Sequence, residues 1–84
     1  MATLNTTATP VWTDIKVSLS LTEGKTYLIQ NTGLYKLEVA ESTTTPTVIG
    51  TTLPSYSSIK VLIGSEGVYI RASDNITVVV TESA

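Results

Sequence analysis

Short runs of β-branched and other apolar residues, separated by Gly, Pro, Asn and Ser, are the feature that most restricts how this chain can fold. Within the runs, apolar residues recur at every second position, as in a strand with one buried face. Nowhere does the spacing of an amphipathic helix appear. Runs at roughly ten-residue intervals predict an all-β domain, a small antiparallel β-sandwich or barrel of about six to seven strands.

The longest alternation extends from Val11 to Leu21 and predicts the first strand, with Ile15 and Val17 on its apolar side. The other predicted strands are 26–30, 34–40, 47–51, 58–63, 68–72 and 76–81. Glycines mark the predicted turns, at Gly24, Gly33, Gly64 and Gly67. We expect Gly33 to adopt a positive φ in a short hairpin loop between the second and third strands.

Residues 1–10 differ from the rest of the chain because they are rich in Thr and contain almost nothing apolar. Apart from Met1, the sizeable apolar residue of this segment is Leu4, and Pro10 ends the segment. We expect 1–10 to be an extended N-terminal arm that is disordered alone or lies on a partner, and 11–84 to be a single domain. The arm residues predicted to attach to the partner are Leu4, Thr6 and Thr7.

The composition leaves little chemistry for catalysis. The chain has no His and no Cys, which removes the usual nucleophile–base pair, thiolate or imidazole metal sites, and a histidine proton shuttle. Its 7 carboxylates fall mostly at predicted turns or on the polar side of predicted strands, where water solvates them. We therefore predict that the protein is not an enzyme and that it uses neither a cofactor nor a metal.

The patterns of charge and hydropathy argue against nucleic acid and membrane as partners. The net charge is −2 and the 5 cations are scattered, whereas binding to phosphates requires clustered Lys and Arg. The longest apolar runs, 61–63 and 78–80, are far too short to span a bilayer. The first residues lack the basic and apolar regions of a signal peptide, and the lack of Cys fits folding in a reducing cytoplasm.

Two predicted strands carry apolar residues on both faces. Leu62 and Val79 lie on the second face of 58–63 and 76–81, and Tyr69 lies between these strands in the sequence. A sandwich strand buries one face in its own domain, so a second apolar face predicts burial against another molecule. A chain of 84 residues also builds only a small core. We therefore expect Leu62, Tyr69 and Val79 to form the interface of a closed homo-oligomer, with a trimer favoured.

Several segments resemble small structural proteins of tailed bacteriophages. These are Tyr27–Gly33 (YLIQNTG), Leu37–Glu41 (LEVAE) followed by Thr45-Pro46, Val68–Ala72 (VYIRA) and Ile76–Glu82 (ITVVVTE). The resemblance extends over residues 25–84 and is weakest across 47–60, where Leu53-Pro54-Ser55 replaces the glycine-containing turn of the family.

The resemblance implies a β-sandwich virion component that is assembled in the host cytoplasm and acts as a trimer or another symmetric oligomer. The expected role is capsid decoration: a cement protein that stabilises the head by binding the major capsid protein or other virion proteins. A fibre, spike or tail-attachment subunit is the alternative within the same class. The family has no catalytic residues that could be transferred to this chain.

Two functions of other classes remain open at this point. A carbohydrate-binding or adhesion module would stack sugars on Trp12 or on a tyrosine, and Trp12 or Tyr56 standing in solvent beside a groove would favour it. A small enzyme or enzyme inhibitor would require a buried pair of carboxylates in a cleft.

Overall fold

A computed structural model describes residues 3–46 and 50–83, whose eight strands form two packed antiparallel sheets. The strands are β1 (Thr3–Ala8), β2 (Thr13–Asp14), β3 (Thr26–Asn31), β4 (Leu37–Ser42), β5 (Thr51–Leu53), β6 (Ser58–Leu62), β7 (Gly67–Ala72) and β8 (Ile76–Glu82). A helix of 4 residues, α1 (Ile15–Ser18), follows β2 directly. The predicted all-β sandwich is confirmed, with more strands than the alternation indicated.

The order of the strands defines the architecture. Sheet A has the order β1-β8-β3-β6, and sheet B has the order β2-β7-β4-β5. The chain is therefore one long hairpin, in which β1 pairs with β8, β2 with β7, β3 with β6 and β4 with β5, rolled into two sheets. This is the strand order of a jelly roll.

Four connections cross between the sheets at one end of the sandwich, which we call the loop end. They are residues 9–12, 32–36, 54–57 and 73–75. A backbone hydrogen bond of 2.9 Å from Ala72 to the carbonyl of Thr9 ties the first of these connections to the end of β7. Surface loops held on a rigid scaffold are common places for binding sites.

The core lies between the sheets, at the inward positions of the alternating strands. The fully buried strand residues include Ile29, Leu37, Val68, Ile70, Val78 and Val80. Ile15, Leu21 and Ile63 cover the core at the end opposite the loop end. Burying side chains of this size, at about 1.5–3 kcal/mol each, is the main force that holds the two sheets together.

The predicted strand over 11–21 is wrong, because the chain turns into α1 directly after β2. The Asp14 Oδ1 atom accepts hydrogen bonds from the backbone N–H groups of Lys16 (3.0 Å) and Val68 (3.2 Å). An aspartate that caps a helical turn in this way competes with extension of the strand. Val17, which the alternation placed on the buried side, is consequently 73% exposed.

The predicted N-terminal arm is wrong for residues 3–8, which form the edge strand β1 of sheet A. β1 pairs with β8 of the same chain along its whole length. Ala8 is buried, Leu4 packs against the core and Thr6 is half-buried, while Thr7 faces solvent. Threonine favours strands, and β8 would otherwise be an unpaired edge, so pairing within the chain stabilises the segment. Residues 1 and 2 lie outside the described residues.

The predicted hairpin after residue 30 is also wrong, because 32–36 carries the chain from sheet A to sheet B. The predicted strands 58–63, 68–72 and 76–81 agree with β6, β7 and β8 to within one residue at each end. Of the predicted strand 47–51, the first three residues lie outside the described residues, and β5 begins at Thr51.

The four turn glycines differ in why glycine is needed. Gly24 has a φ of +86°, as a turn glycine does. Gly33 does not have a positive φ, so that prediction is wrong. A Cβ atom at Gly33 would lie 2.5 Å from Cβ and Cγ2 of Ile76, so the position lacks room for a side chain. Gly64 lies in open space after β6, and Gly67 is the first residue of β7.

Candidate binding surfaces

The three predicted interface residues lie on two opposite faces of the sandwich. Leu62 and Val79 lie on the outer face of sheet A, in strands whose neighbouring positions face the core. Tyr69 lies on the outer face of sheet B, between the buried positions of β7. The structure therefore brings Leu62 and Val79 to one face and does not bring Tyr69 to that face.

The outer face of sheet A is almost free of charge. Each of its four strands contributes three outward positions: Thr3, Asn5, Thr7, Thr77, Val79, Thr81, Thr26, Leu28, Gln30, Ser58, Lys60 and Leu62. Lys60 is the only charged residue among these positions, although the chain has 12 charged residues. Leu62 is 64% exposed. A face of this composition can be covered by another surface without the large cost of burying charges, provided that its hydroxyl and amide groups find hydrogen-bond partners there.

The outer face of sheet B contains an ion pair stacked on an aromatic ring. Both Nε and Nη2 of Arg71 donate hydrogen bonds to Oε2 of Glu38, at 3.0 and 2.6 Å. The Arg71 guanidinium carbon lies 4.5 Å from the centroid of the Trp12 ring, within the range of a cation–π contact. The cluster fastens the connection before β2 to the middle of sheet B. Arg71 covers one ring face and Trp12 is half-buried, so Trp12 does not stand free in solvent.

A buried asparagine joins two connections at the loop end. Asn31 is 1% exposed, and its Nδ2 donates to the carbonyl groups of Tyr35 (2.8 Å), Leu53 (3.2 Å) and Pro54 (3.2 Å). Its Oδ1 accepts from the backbone N–H of residue 33 at 3.0 Å. The buried amide is therefore fully bonded, and it holds 32–36 and 54–57 against each other.

The loop end exposes a group of apolar side chains, namely Val11, Leu34, Tyr35 and Tyr56. Tyr56 is 71% exposed and has a φ of +61°, which is rare for an aromatic residue. It occupies the third position of a turn closed by a 3.1 Å hydrogen bond from Ser57 to the Pro54 carbonyl. Strained backbone of this kind is found more often at functional sites than elsewhere.

Sequence reasoning missed Leu34 and Tyr35 as part of this surface. The alternation placed both residues in a strand over 34–40, with Tyr35 on the same face as the core residue Leu37. The strand β4 instead begins at Leu37, because Asn31 holds the preceding residues in a loop. The signal available in the sequence was Asn31 two residues before Gly33, a pair that favours a turn capped by the asparagine side chain.

Two further ion pairs lie near the end opposite the loop end. Lys25 donates a hydrogen bond of 2.5 Å to Oε1 of Glu82, and this bond, followed by the charge of Glu82, raises the pKa of Lys25. Lys16 donates to Glu23 at 2.8 Å and to the backbone carbonyl of Gly64 at 2.7 Å. Both pairs are exposed to solvent and contribute little to stability.

The described residues offer little for metal or acid–base chemistry. They contain no cluster of three or more acidic side chains placed to hold a metal ion. Glu38 is the most buried carboxylate in an ion pair, and its partner is Arg71 rather than a second carboxylate. Among the described residues, no helix has the length and apolar character needed to cross a membrane.

Compared with protein-family models, with curated proteins and with solved structures, the chain matches none.

Proposed function

We propose that this protein is a non-enzymatic structural component of a tailed-bacteriophage virion, a head-decoration (cement) protein that acts as a closed homotrimer. The observation that carries the proposal is the outer face of sheet A, where one charge accompanies eleven uncharged positions. In this proposal that face binds the major capsid protein or another virion protein. A fibre or tail-attachment subunit would use the same face at another place on the particle.

The composition of this face suits a permanent contact. Interfaces that stay assembled are depleted of charge at their centre, because each buried charge must be paired or lose its hydration. Val79, Leu28 and Leu62 supply apolar area, and threonine supplies both methyl and hydroxyl groups. Many copies bound to one particle would add avidity, so each contact could remain modest in area.

The fold and the segment resemblance support the same class. Jelly rolls occur in viral capsid proteins and in lectin domains, so the strand order favours these two classes by analogy of fold alone. The resemblance to phage structural proteins includes β3, β4, β7 and β8, the strands that occupy the centres of both sheets.

The first test is the presence of the chain in particles. Peptide mass spectrometry of purified virions of the phage that encodes it should detect its peptides in proportion to capsid copies. Absence from purified particles would overturn the proposal. Immunogold labelling of the same particles would distinguish a position on the head from one on a fibre or tail.

The second test is attachment through sheet A. Particles lacking the protein are mixed with wild-type chain, with Val79→Glu or with Thr43→Glu, and co-sedimentation is measured. Val79 lies on the outer face of sheet A, whereas Thr43 is exposed in the connection that follows β4 of sheet B. We expect Val79→Glu to weaken binding at least tenfold and Thr43→Glu to bind like wild type. Equal binding by both variants would exclude the outer face of sheet A as the attachment surface.

A carbohydrate-binding or adhesion function is the second candidate, and the exposed Tyr56 favours it. A tyrosine ring held away from the surface by a rigid turn can stack on a sugar. A glycan array would reveal such binding, and Tyr56→Ala should abolish it without loss of folding. No binding by the wild-type chain to any glycan would remove this candidate.

A further inference from the structure

Within residues 3–46 and 50–83, no strand pairs with the two outer edges of sheet A, which are formed by β1 and β6. β1 has 6 residues and β6 has 5, whereas the edge strands of sheet B, β2 and β5, have 2 and 3. A long unpaired edge is a template for another strand unless charge, proline or a covering segment protects it. β1 contains no charged residue and no proline, whereas β6 carries one charge, Lys60. A single lysine disfavours pairing of β6 with a like-charged strand but leaves the uncharged β1 of another copy as a partner.

The register of the sheet defines which backbone groups point outward from these edges. Hydrogen bonds from Ser83 to the Thr26 carbonyl and from Thr32 to the Thr77 carbonyl show that odd-numbered residues of β8 bond to β3. Even-numbered residues of β8 therefore bond to β1, through Leu4, Thr6 and Ala8. The N–H and C=O groups of the other β1 residues point away from the sheet; these residues are Thr3, Asn5 and Thr7.

Along β6, too, residues that bond to the neighbouring strand alternate with residues whose backbone groups point outward. Asn31 donates to the carbonyl of Ser57, and Ile63 donates to the carbonyl of Lys25, so odd-numbered residues from 57 to 63 bond to β3. Residues 58, 60 and 62 therefore present backbone groups at the β6 edge that bond to no described strand. On both edges, the residues with free backbone groups are those whose side chains lie on the outer face of sheet A.

The two edges also run in opposite directions. All neighbouring strands of sheet A are antiparallel, and the sheet has four strands, so β6 is antiparallel to β1. A rotation about an axis parallel to the strands keeps strand direction. It would therefore place β6 of one copy beside β1 of the next as an antiparallel pair, with both outer faces on the same side.

Charge selects between the possible pairings of edges. If β6 paired with β6 of a second copy, Lys60 would face the same lysine across the contact, and like charges directly opposite each other destabilise a sheet. If β6 paired with β1, Lys60 would face the uncharged Asn5. The register with the greatest overlap then places Leu62 opposite Thr3, which covers part of the exposed leucine.

We propose that copies of this chain join head to tail into a closed ring, with β1 of each copy paired to β6 of the next. This inference rests on the proposed homo-oligomer and names its contact. Each junction has three hydrogen-bonded pairs, centred on Asn5 opposite Lys60 of the next copy. One such edge contact is smaller than the roughly 1,600 Å² of a typical stable interface, so closure of the ring, which gives every copy two junctions, is needed for stability.

The experiment changes the charge at the centre of the junction and measures association by sedimentation equilibrium. The wild-type chain should form a species of three times its 8.9 kDa mass. Asn5→Lys, which places an ammonium group opposite Lys60 of the next copy, should weaken association about fivefold per junction. Asn5→Asp should associate at least as tightly as wild type, and Asn5→Lys combined with Lys60→Glu should restore association. Thr52→Lys adds the same charge on sheet B and should have no effect.

Three results would overturn the head-to-tail pairing. If the wild-type chain is a dimer and both Asn5→Lys and Asn5→Asp weaken its association, β1 pairs with β1 of a second copy, because either charge would then face itself. An oligomer that none of these variants affects would exclude both edges as the contact. A monomer at all concentrations, also when bound to particles, would exclude self-pairing. Presence of the chain in virions is a separate readout, so a ring-forming chain that is absent from particles would overturn the proposed function and leave the pairing intact.

Discussion

At the scale of single residues, the glycines show how one residue type serves different physical requirements. Gly24 meets a conformational requirement, because its φ of +86° is costly for other residues. Gly33 meets a spatial one, because an added Cβ would overlap Ile76. Gly64 meets neither, since it has no neighbouring atom within 4 Å of an added Cβ and its φ is not positive.

These differences predict three outcomes for substitution by alanine. Gly33→Ala should lower the free energy of unfolding by roughly 1–3 kcal/mol through overpacking, and Gly24→Ala by about 1 kcal/mol through backbone strain. Gly64→Ala is the matched control and should change stability by less than about 0.5 kcal/mol. Urea unfolding measures all three. Ile76→Gly removes both Cβ and Cγ2 of Ile76. If it does not reduce the cost of Gly33→Ala in a double-mutant cycle, the overlap with Ile76 is not the cause of that cost.

At the scale of elements, the strands that the sequence predicted well are those whose local pattern and tertiary environment agree. β7 and β8 alternate buried and exposed residues between clear turns, and each pairs on both sides. The segment over 11–21 has an equally clear alternation, yet the side chain of Asp14 bonds to two backbone N–H groups and begins α1. Periodicity reports which residues could be buried, but it does not include such side-chain competition for backbone groups.

The edge strand β1 and the exposed group at the loop end could not be predicted from the sequence for a second reason. The Thr-rich N-terminal segment has few apolar residues of its own, and its place in sheet A depends on β8, about seventy residues later. The exposed group at the loop end likewise depends on Asn31 bonding to carbonyl groups from two separate connections. Long-range partners of this kind leave almost no local signal, so the candidate surfaces emerge only once the topology is known.

The register of β1 predicts that two adjacent proline substitutions differ in their effect on stability. The N–H of Asn5 points away from the sheet, so Asn5→Pro removes no hydrogen bond within the chain and should leave it folded. The N–H of Thr6 points towards Val78 of β8, so Thr6→Pro should lower stability by about 2 kcal/mol. Thermal unfolding followed by circular dichroism compares the two. Equal destabilisation would mean that the assigned directions of these groups are wrong.

At the scale of the whole molecule, every strand pairing joins the first half of the chain to the second. In sheet A, β8 lies between β1 and β3, and β6 pairs with β3. In sheet B, β7 lies between β2 and β4, and β5 pairs with β4. No described strand of β1–β4 pairs with another of β1–β4, and the same holds for β5–β8. Only β4 and β5 are consecutive strands, so the other five pairings join distant segments. Topologies dominated by such non-local pairing fold slowly, in roughly milliseconds to seconds, because distant segments must meet before the sheets can form.

This interleaving predicts that neither half of the chain can fold alone. A fragment of residues 1–46 contains β1 to β4 without a partner for any of them, and a fragment of residues 47–84 contains β5 to β8 in the same condition. We expect each fragment to be unfolded by circular dichroism and to show poorly dispersed amide signals by NMR. Mixed in equal amounts, the fragments should form the sheet signal together, because the six pairings need both halves and the break lies between β4 and β5 at the end opposite the loop end. A fragment that folds by itself would show that its strands can pair in another order, and the rolled hairpin would then not be the sole sheet arrangement open to this sequence.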